Sequence, residues 1–284
     1  MKKCLIVENS CKEESHEILE EVKAFLAAKD VECSVFSYDG ILSGDIPLKA
    51  DFSGCDFAVT LGGDGTVLFA SRECAPYGIP VFSINLGVFG FLASVQKETW
   101  KEELSLFLEG KTTESLRSLI DVEVVRSSKT AFISRCLNDA VVSVPSYSGL
   151  MNLEVAYNRS LLGVFKATGL ITATPTGSTA FSAAAGGPIL EPSIDAMVLT
   201  PISSFSLSSR PLVFGSRGEI AMTVLPSRAE GVLSVDGQIK FNLKTGDVII
   251  LGISPHKARL AGASQEKFYA SLKNKLNWSG GIRA

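Results

Sequence analysis

Phe57-Ala58-Val59-Thr60-Leu61-Gly62-Gly63-Asp64-Gly65-Thr66 is an apolar run that ends in three glycines around one carboxylate. The run reads as a buried strand, and a helix is expected from about Thr66 to Ala75. In an open α/β sheet, ligands bind outside the carboxyl ends of the strands. Gly62, Gly63 and Gly65 let a substrate approach the backbone closely. Backbone N–H groups at a helix N-terminus favour phosphate. Asp64 does not suit a loop built only for phosphate, because a carboxylate repels that group. It suits a loop that must also take a proton from an attacking hydroxyl. Taken alone, the stretch also admits a tight strand-to-helix turn with Asp64 as the cap.

On both sides of this stretch strands and helices alternate. Strands are expected at Cys4–Val7, Val31–Ser37 and Ile79–Asn85, and helices at Glu13–Lys29 and Lys97–Leu108. That order implies βαβ units and a mainly parallel sheet. From Asp121 onward strands dominate: Val122–Arg126, Ala131–Val144, Leu153–Tyr157, Leu161–Lys166, Met197–Pro201, Glu219–Val224, Val232–Val235, Ile239–Leu243 and Val248–Leu251. Many alternate apolar and polar residues, as one-sided antiparallel strands do. An Ala-rich break at Ser178–Gly187 reads as a short helix. The tail Gln265–Leu276 reads as another, with Phe268, Leu272 and Leu276 on one face. The expected architecture is an α/β N-terminal domain over 1–97 with a mainly parallel sheet. A β-rich, sandwich-like domain follows over 98–262, and a helical tail over 263–284 packs back on the first domain.

The 284 residues are 46% hydrophobic and 20% charged, which describes a soluble globular chain with a full core. Net charge is −3 and no Lys/Arg cluster stands out, so nucleic acid is not an expected partner. No run reaches the ~18 apolar residues that span a bilayer, so no membrane role and a cytoplasmic location are expected. The six cysteines include no C-x-x-C pair and read as reduced, partly buried thiols of a reducing compartment. His16 falls in the first helix and His256 in a loop after a proline. Neither has metal-ligand spacing to another His or Cys, which argues against zinc.

A second constellation is more specific. Gly169-Leu170-Ile171-Thr172-Ala173-Thr174-Pro175-Thr176-Gly177-Ser178-Thr179-Ala180-Phe181, followed by Gly186-Gly187-Pro188, is a hydroxyl-rich loop leading into a helix. Pro175 keeps its predecessor extended, and Ser178 or Thr179 can cap the helix. Such a loop suits a sugar or phosphate, and a plain capped helix is the competing reading. Asn138-Asp139 interrupts an apolar stretch, which needs partners for both side chains or a local turn. Asp236-Gly237 reads as a hairpin turn.

Gly62-Gly63-Asp64-Gly65, Asn138-Asp139, Thr174-Pro175-Thr176-Gly177-Ser178-Thr179-Ala180 and Asp236-Gly237-Gln238, in this order and spacing, resemble the NAD kinase family. The resemblance covers most of the chain. It implies transfer of a phosphoryl group from ATP, or from polyphosphate, to the 2′-hydroxyl of the adenosine ribose of NAD, giving NADP. Asp64 would be the catalytic base. Gly62, Gly63, Gly65 and Thr66 would form the phosphate loop. Nucleotide contacts would come from Asp64, Gly65, Asn138, Asp139, Lys166, Thr168, Thr176, Thr179, Ala180, Phe181, Ser182, Ala184 and Gln238. A divalent cation such as Mg²⁺ would bridge the donor phosphates, with no protein ligand assigned to it, and a homodimer or homotetramer is implied. Four positions depart from the family pattern. Asp139 stands where Glu is usual, Phe181 where Tyr is usual, and Lys166-Ala167-Thr168-Gly169 where Arg-x-Asp-Gly is common. Thr168 loses a carboxylate, and Lys166 keeps charge without the Arg fork. The alternatives are a lipid or sugar kinase sharing Gly-Gly-Asp-Gly, and a catalytically silent dinucleotide-binding regulator.

Overall fold

The computed structural model of the protein describes residues 1–39, 51–87, 90–145, 149–206 and 209–276. The chain divides into two compact units. The first gathers described residues of 1–41, 48–116 and 258–284, and the second those of 117–257.

The first unit opens β1 (Lys2–Asn9), α1 (Ser15–Ala27), β2 (Val31–Tyr38), β3 (Phe57–Gly62), α2 (Asp64–Cys74), β4 (Pro80–Asn85), β5 (Val95–Gln96) and α3 (Trp100–Leu108). Strands β2, β1, β3 and β4 lie in that order, all parallel, with the short β5 alongside β4. β3 and β4 are buried along their whole length. That is why they read as continuous apolar runs rather than as alternation. Helix α1 turns Leu19, Val22 and Leu26 onto the sheet, at i, i+3 and i+7. These residues share a core with Ile6, Val59, Leu61, Phe82, Ile84 and Trp100.

The second unit is β-rich. It contains β6 (Glu114–Arg126, its first residues in the first unit), β7 (Lys129–Cys136), β8 (Asp139–Ser143), β9 (Met151–Tyr157), β10 (Ser160–Ala167) and β11 (Gly169–Ala173). After a short α4 (Phe181–Ala184) come β12 (Ala196–Ile202), β13 (Leu212–Gly215), β14 (Glu219–Leu225), β15 (Gly231–Val235), β16 (Ile239–Leu243) and β17 (Val248–Ala261). One antiparallel sheet runs β13-β12-β11-β8-β15-β16. Facing strands β10-β9-β14 and the start of β17 are antiparallel too, as is the β6–β7 hairpin. Met151, Leu153 and Val155 of β9 share one core with Ala140 and Val142 of β8, Leu170 of β11 and Leu233 of β15. This is the expected sandwich.

The chain closes on α5 (Gln265–Leu276), in the first unit. Phe268 and Leu272 are buried, and Lys267 Nζ donates to Ser94 O at 3.4 Å and to Glu103 at 3.1 Å. The Leu276 side chain and residues 277–284 of the tail lie outside the described residues. No described helix is long and apolar enough to cross a membrane.

The candidate run 131–144 is two strands, parted at the Asn138-Asp139 interruption, where Asp236 captures the backbone of 137–139. Three expectations change. Gly169–Ala173, read as part of a loop, is a fully buried strand. His256 lies within β17 and not in a loop: the strand runs on through Pro255, beyond the stretch paired with β14, despite the local stop signal. The helix over Ser178–Gly187 is a 3₁₀ turn (Gly177–Thr179) followed by α4, broken at Ala180. Neither Ser178 nor Thr179 caps it. Ser178 Oγ donates instead to Pro175 O at 2.6 Å.

Candidate functional site

In the first unit the expected catalytic carboxylate and its glycines lie at the carboxyl ends of β1, β3 and β4. Gly63 is the extended residue before α2, and Asp64 is the first residue of the helix. A negative charge there meets the positive end of the helix dipole. Its two oxygens accept three consecutive backbone N–H groups: Phe91 at 2.8 Å, Leu92 at 3.0 Å and Ala93 at 3.0 Å. A Cβ on Gly90 would overlap the Asp64 carboxylate, so only glycine lets the chain wrap this closely. A carboxylate has about four lone-pair sites. Described residues fill three, and the side chain is half-buried.

Gly62 is equally constrained, since a Cβ there would overlap Thr66 Oγ1. The Thr66 hydroxyl is buried and pairs with Tyr38 Oη at 2.8 Å, so it props the turn. Leu86 N donates to Gly62 O at 3.0 Å and ties β4 to the same loop.

The second unit builds a recess of about 360 Å³. It is lined by Asn138, Asp139, Val141, Ser143, Ala180, Phe181, Ser234, Asp236 and Gly237. Asp236 sits at φ 51° and Gly237 at φ 68°, in the hairpin turn between β15 and β16 that Asp-Gly leads one to expect. The Asp236 carboxylate accepts N–H groups from Leu137 at 3.0 Å, Asn138 at 2.7 Å and Asp139 at 3.1 Å. Thr174 N donates to Asn138 O at 2.8 Å, and Thr174 Oγ1 donates to Leu137 O at 2.5 Å. A Cβ on Gly177 would overlap the Asn138 backbone. Thr-Pro-Thr-Gly and Asn-Asp are therefore one packed structure. Asp139 is 5% exposed. Burial, with the neighbouring Asp236 charge, pushes its carboxyl up to about 7.

Of the expected nucleotide contacts, Asn138, Asp139, Ala180 and Phe181 line this recess. Phe181 is 47% exposed, an aromatic face open at its rim. Thr176 and Ser182 are buried below the surface, with Ser182 Oγ on Thr200 Oγ1 at 2.8 Å. Thr179 Oγ1 donates to Thr176 O at 3.2 Å. Ala184 is exposed and Gln238 half-buried, and neither lines the recess. Lys166 and Thr168 also lie outside its lining: the Lys166 ammonium packs over the Phe205 ring, 5.2 Å from its centre. The sequence reading missed Val141, Ser143 and Ser234. Their signal is period-2 spacing on β8 and the Ser234–Val141 pairing. It also missed Gly90 to Ala93, for which Gly87 and Gly90 just past β4 were the available clue.

The ATP-NAD kinase N-terminal domain family matches residues 44–112, and the ATP-NAD kinase C-terminal domain family matches residues 137–262. The chain is 48% identical over 281 residues to an NAD kinase of Treponema denticola, covering 99% of this chain and 98% of that protein. It is 35% identical over 282 residues to an NAD kinase of Desulforamulus reducens, covering 98% of each. Its fold is similar to yeast NADH kinase complexed with NADH, with TM-score 0.83 at 23% identity, over 100% of this chain and 89% of that one. It is also similar to an NAD kinase from Archaeoglobus fulgidus in complex with ATP, with TM-score 0.74 at 23% identity, over 98% and 99%. Neither a lipid or sugar kinase nor a silent regulator is favoured by these matches. The chain belongs to the NAD kinase family and is an NAD-phosphorylating enzyme.

Proposed function

We propose that the protein transfers the terminal phosphoryl group of ATP to the 2′-hydroxyl of the adenosine ribose of NAD, with Asp64 as the group that takes the hydroxyl proton. The observation that carries this reading is the Asp64 cradle. Three backbone N–H groups fix the carboxylate at the mouth of a glycine loop without filling it. Phosphoryl transfer asks mostly for positioning and charge neutralisation, so one oriented carboxylate is enough for the proton. As the new O–P bond forms, the ribose O–H bond breaks and its proton passes to an Asp64 oxygen. ADP leaves with the electrons of the broken O–P bond.

Among the described residues, no group of three or more His, Cys, Asp or Glu could hold a metal. The side chains suit a divalent cation that arrives on the donor phosphates, as Mg²⁺ commonly does. When bound it would neutralise phosphate charge. In the recess, Phe181 offers a face for the adenine, and Asn138 and Asp139 offer polar groups in the same lining. A homo-oligomer, a cytoplasmic location and contacts from Lys166 and Thr168 toward the nicotinamide half belong to the same reading. Incubating the purified chain with ATP, Mg²⁺ and NAD tests it. NADP is the expected product, and polyphosphate in place of ATP tests the donor. Absence of NADP with either donor would contradict it.

A further inference from the structure

The loop Leu61-Gly62-Gly63-Asp64-Gly65-Thr66 contains no cation, yet the chemistry read from it needs one near the donor phosphates. Sheet order shows where such a charge can come from. From β1 the chain crosses to β2 on one side, and β3 lies on the other side of β1. In parallel sheets the crevice at such a reversal, beyond the carboxyl ends, is where ligands bind. The loop after β1 and the loop after β3 are its two lips.

The lip after β1 is built to hold its place. Asn9 Cβ lies 3.4 Å from where a Cβ on Gly62 would be. Asn9 O accepts Lys12 N at 3.1 Å, Asn9 Oδ1 accepts Cys11 N at 3.2 Å, and Lys12 O accepts Ser15 N at 3.1 Å. This turn delivers the Lys12 side chain toward the third loop at this end of the sheet. Its Nζ lies 3.9 Å from the position a Cβ on Gly87 would occupy. Gly87 is held by Asn85 Oδ1 at 3.2 Å. The Lys12 ammonium makes no hydrogen bond or ion pair with any described residue, whereas Lys97, Lys101, Lys257 and Lys267 all have carboxylate partners. An exposed, uncompensated ammonium beside a glycine-lined crevice is an anion seat, as a lysine is for phosphate in other nucleotide loops.

Resting on the donor reading above, we infer that Lys12 binds the donor's phosphate chain, supplying the positive charge that the glycine loop lacks. It recognises phosphate and not the adenosine. The test compares wild type, Lys12→Met and Lys12→Arg as full-length protein, by calorimetric titration with Mg²⁺-ATP and with adenosine, and by steady-state kinetics. Lys12→Met should raise the Kd and KM for ATP about tenfold or more. Adenosine affinity and the KM for NAD should stay within about twofold, and Lys12→Arg should recover most of the loss. Lys12→Gln repeats the test if the Met variant aggregates. ATP affinity within twofold of wild type in a folded Lys12→Met variant overturns the inference, as does an equal loss for adenosine. If wild type binds ATP but forms no NADP, the donor reading fails, and the calorimetric comparison still decides the role of Lys12.

Discussion

The same device occurs in both units and serves opposite ends. Asp64 accepts the N–H groups of three consecutive residues, 91 to 93, and Asp236 accepts those of 137 to 139. Asp64 does so from the first turn of a helix, half-buried, with the helix dipole behind it and glycines in front. Asp236 does so from a left-handed hairpin position, 7% exposed, with a second carboxyl, Asp139, beside it. In the proposed mechanism only the first of these carboxylates is reactive, so a backbone cradle does not by itself confer reactivity. What matters is whether an acceptor direction remains open to a ligand.

Four substitutions sharpen that contrast. The largest effect is expected for Asp64→Asn. The amide keeps most of the shape but cannot take a proton, and its NH₂ must face a backbone donor. Turnover should fall roughly 10²–10⁴-fold, measured as NADP formation. The next is Asp236→Asn. One oxygen can still serve two of the three donors, which leaves a buried N–H facing another donor at about 1–3 kcal/mol. The melting temperature should drop by roughly 3–10 °C, read by calorimetry, while Asn138 and Asp139 keep their place.

Asp139→Asn has a smaller effect whose sign depends on pH. The folded state holds the Asp139 proton up to about 7, well above an ordinary carboxyl. The stability this group contributes is therefore full below about pH 4 and lost as pH rises through about 7. The Asn variant should gain on wild type steadily across that window and keep a constant lead above it. A difference in melting temperature that stays flat from pH 4 to 8 would show that Asp139 is not buried against Asp236. The smallest effect is expected for Thr168→Asp, which adds back one carboxylate. It should change the affinity for NAD relative to NADH by about tenfold or less. An adenosine-only analogue should respond less, and equal responses would remove residue 168 from the nicotinamide side.

Much of this was legible in the sequence, and what was not has a common cause. Strand and helix alternation and the switch to one-sided strands reflect side-chain burial, which periodicity records directly. Gly62 and Asp64 announce a tight ligand-facing turn because few other residues fit one. Residues 91 to 93 were invisible because they act through backbone N–H groups that any residue carries. Only Gly90, whose missing side chain makes room for Asp64, marks the place. Asp236-Gly237 was read as a hairpin turn, and it is one. Its carboxylate also reaches back nearly a hundred positions to bind 137–139, a link that only the packed sheet creates. Gly169–Ala173 was hidden because its glycine and threonine look like loop chemistry, while pairing on both sides makes it a central strand.

The central claim is that one cradle is chemical and the other structural. Turnover per folded molecule tests it most directly, measured side by side for Asp64→Asn and Asp236→Asn with ATP, Mg²⁺ and NAD at a temperature where both remain native. The account predicts a loss of at least about a hundredfold for Asp64→Asn and a change within about threefold for Asp236→Asn. Comparable losses in the two variants, or an Asp64→Asn enzyme that keeps more than half of wild-type turnover, would contradict it.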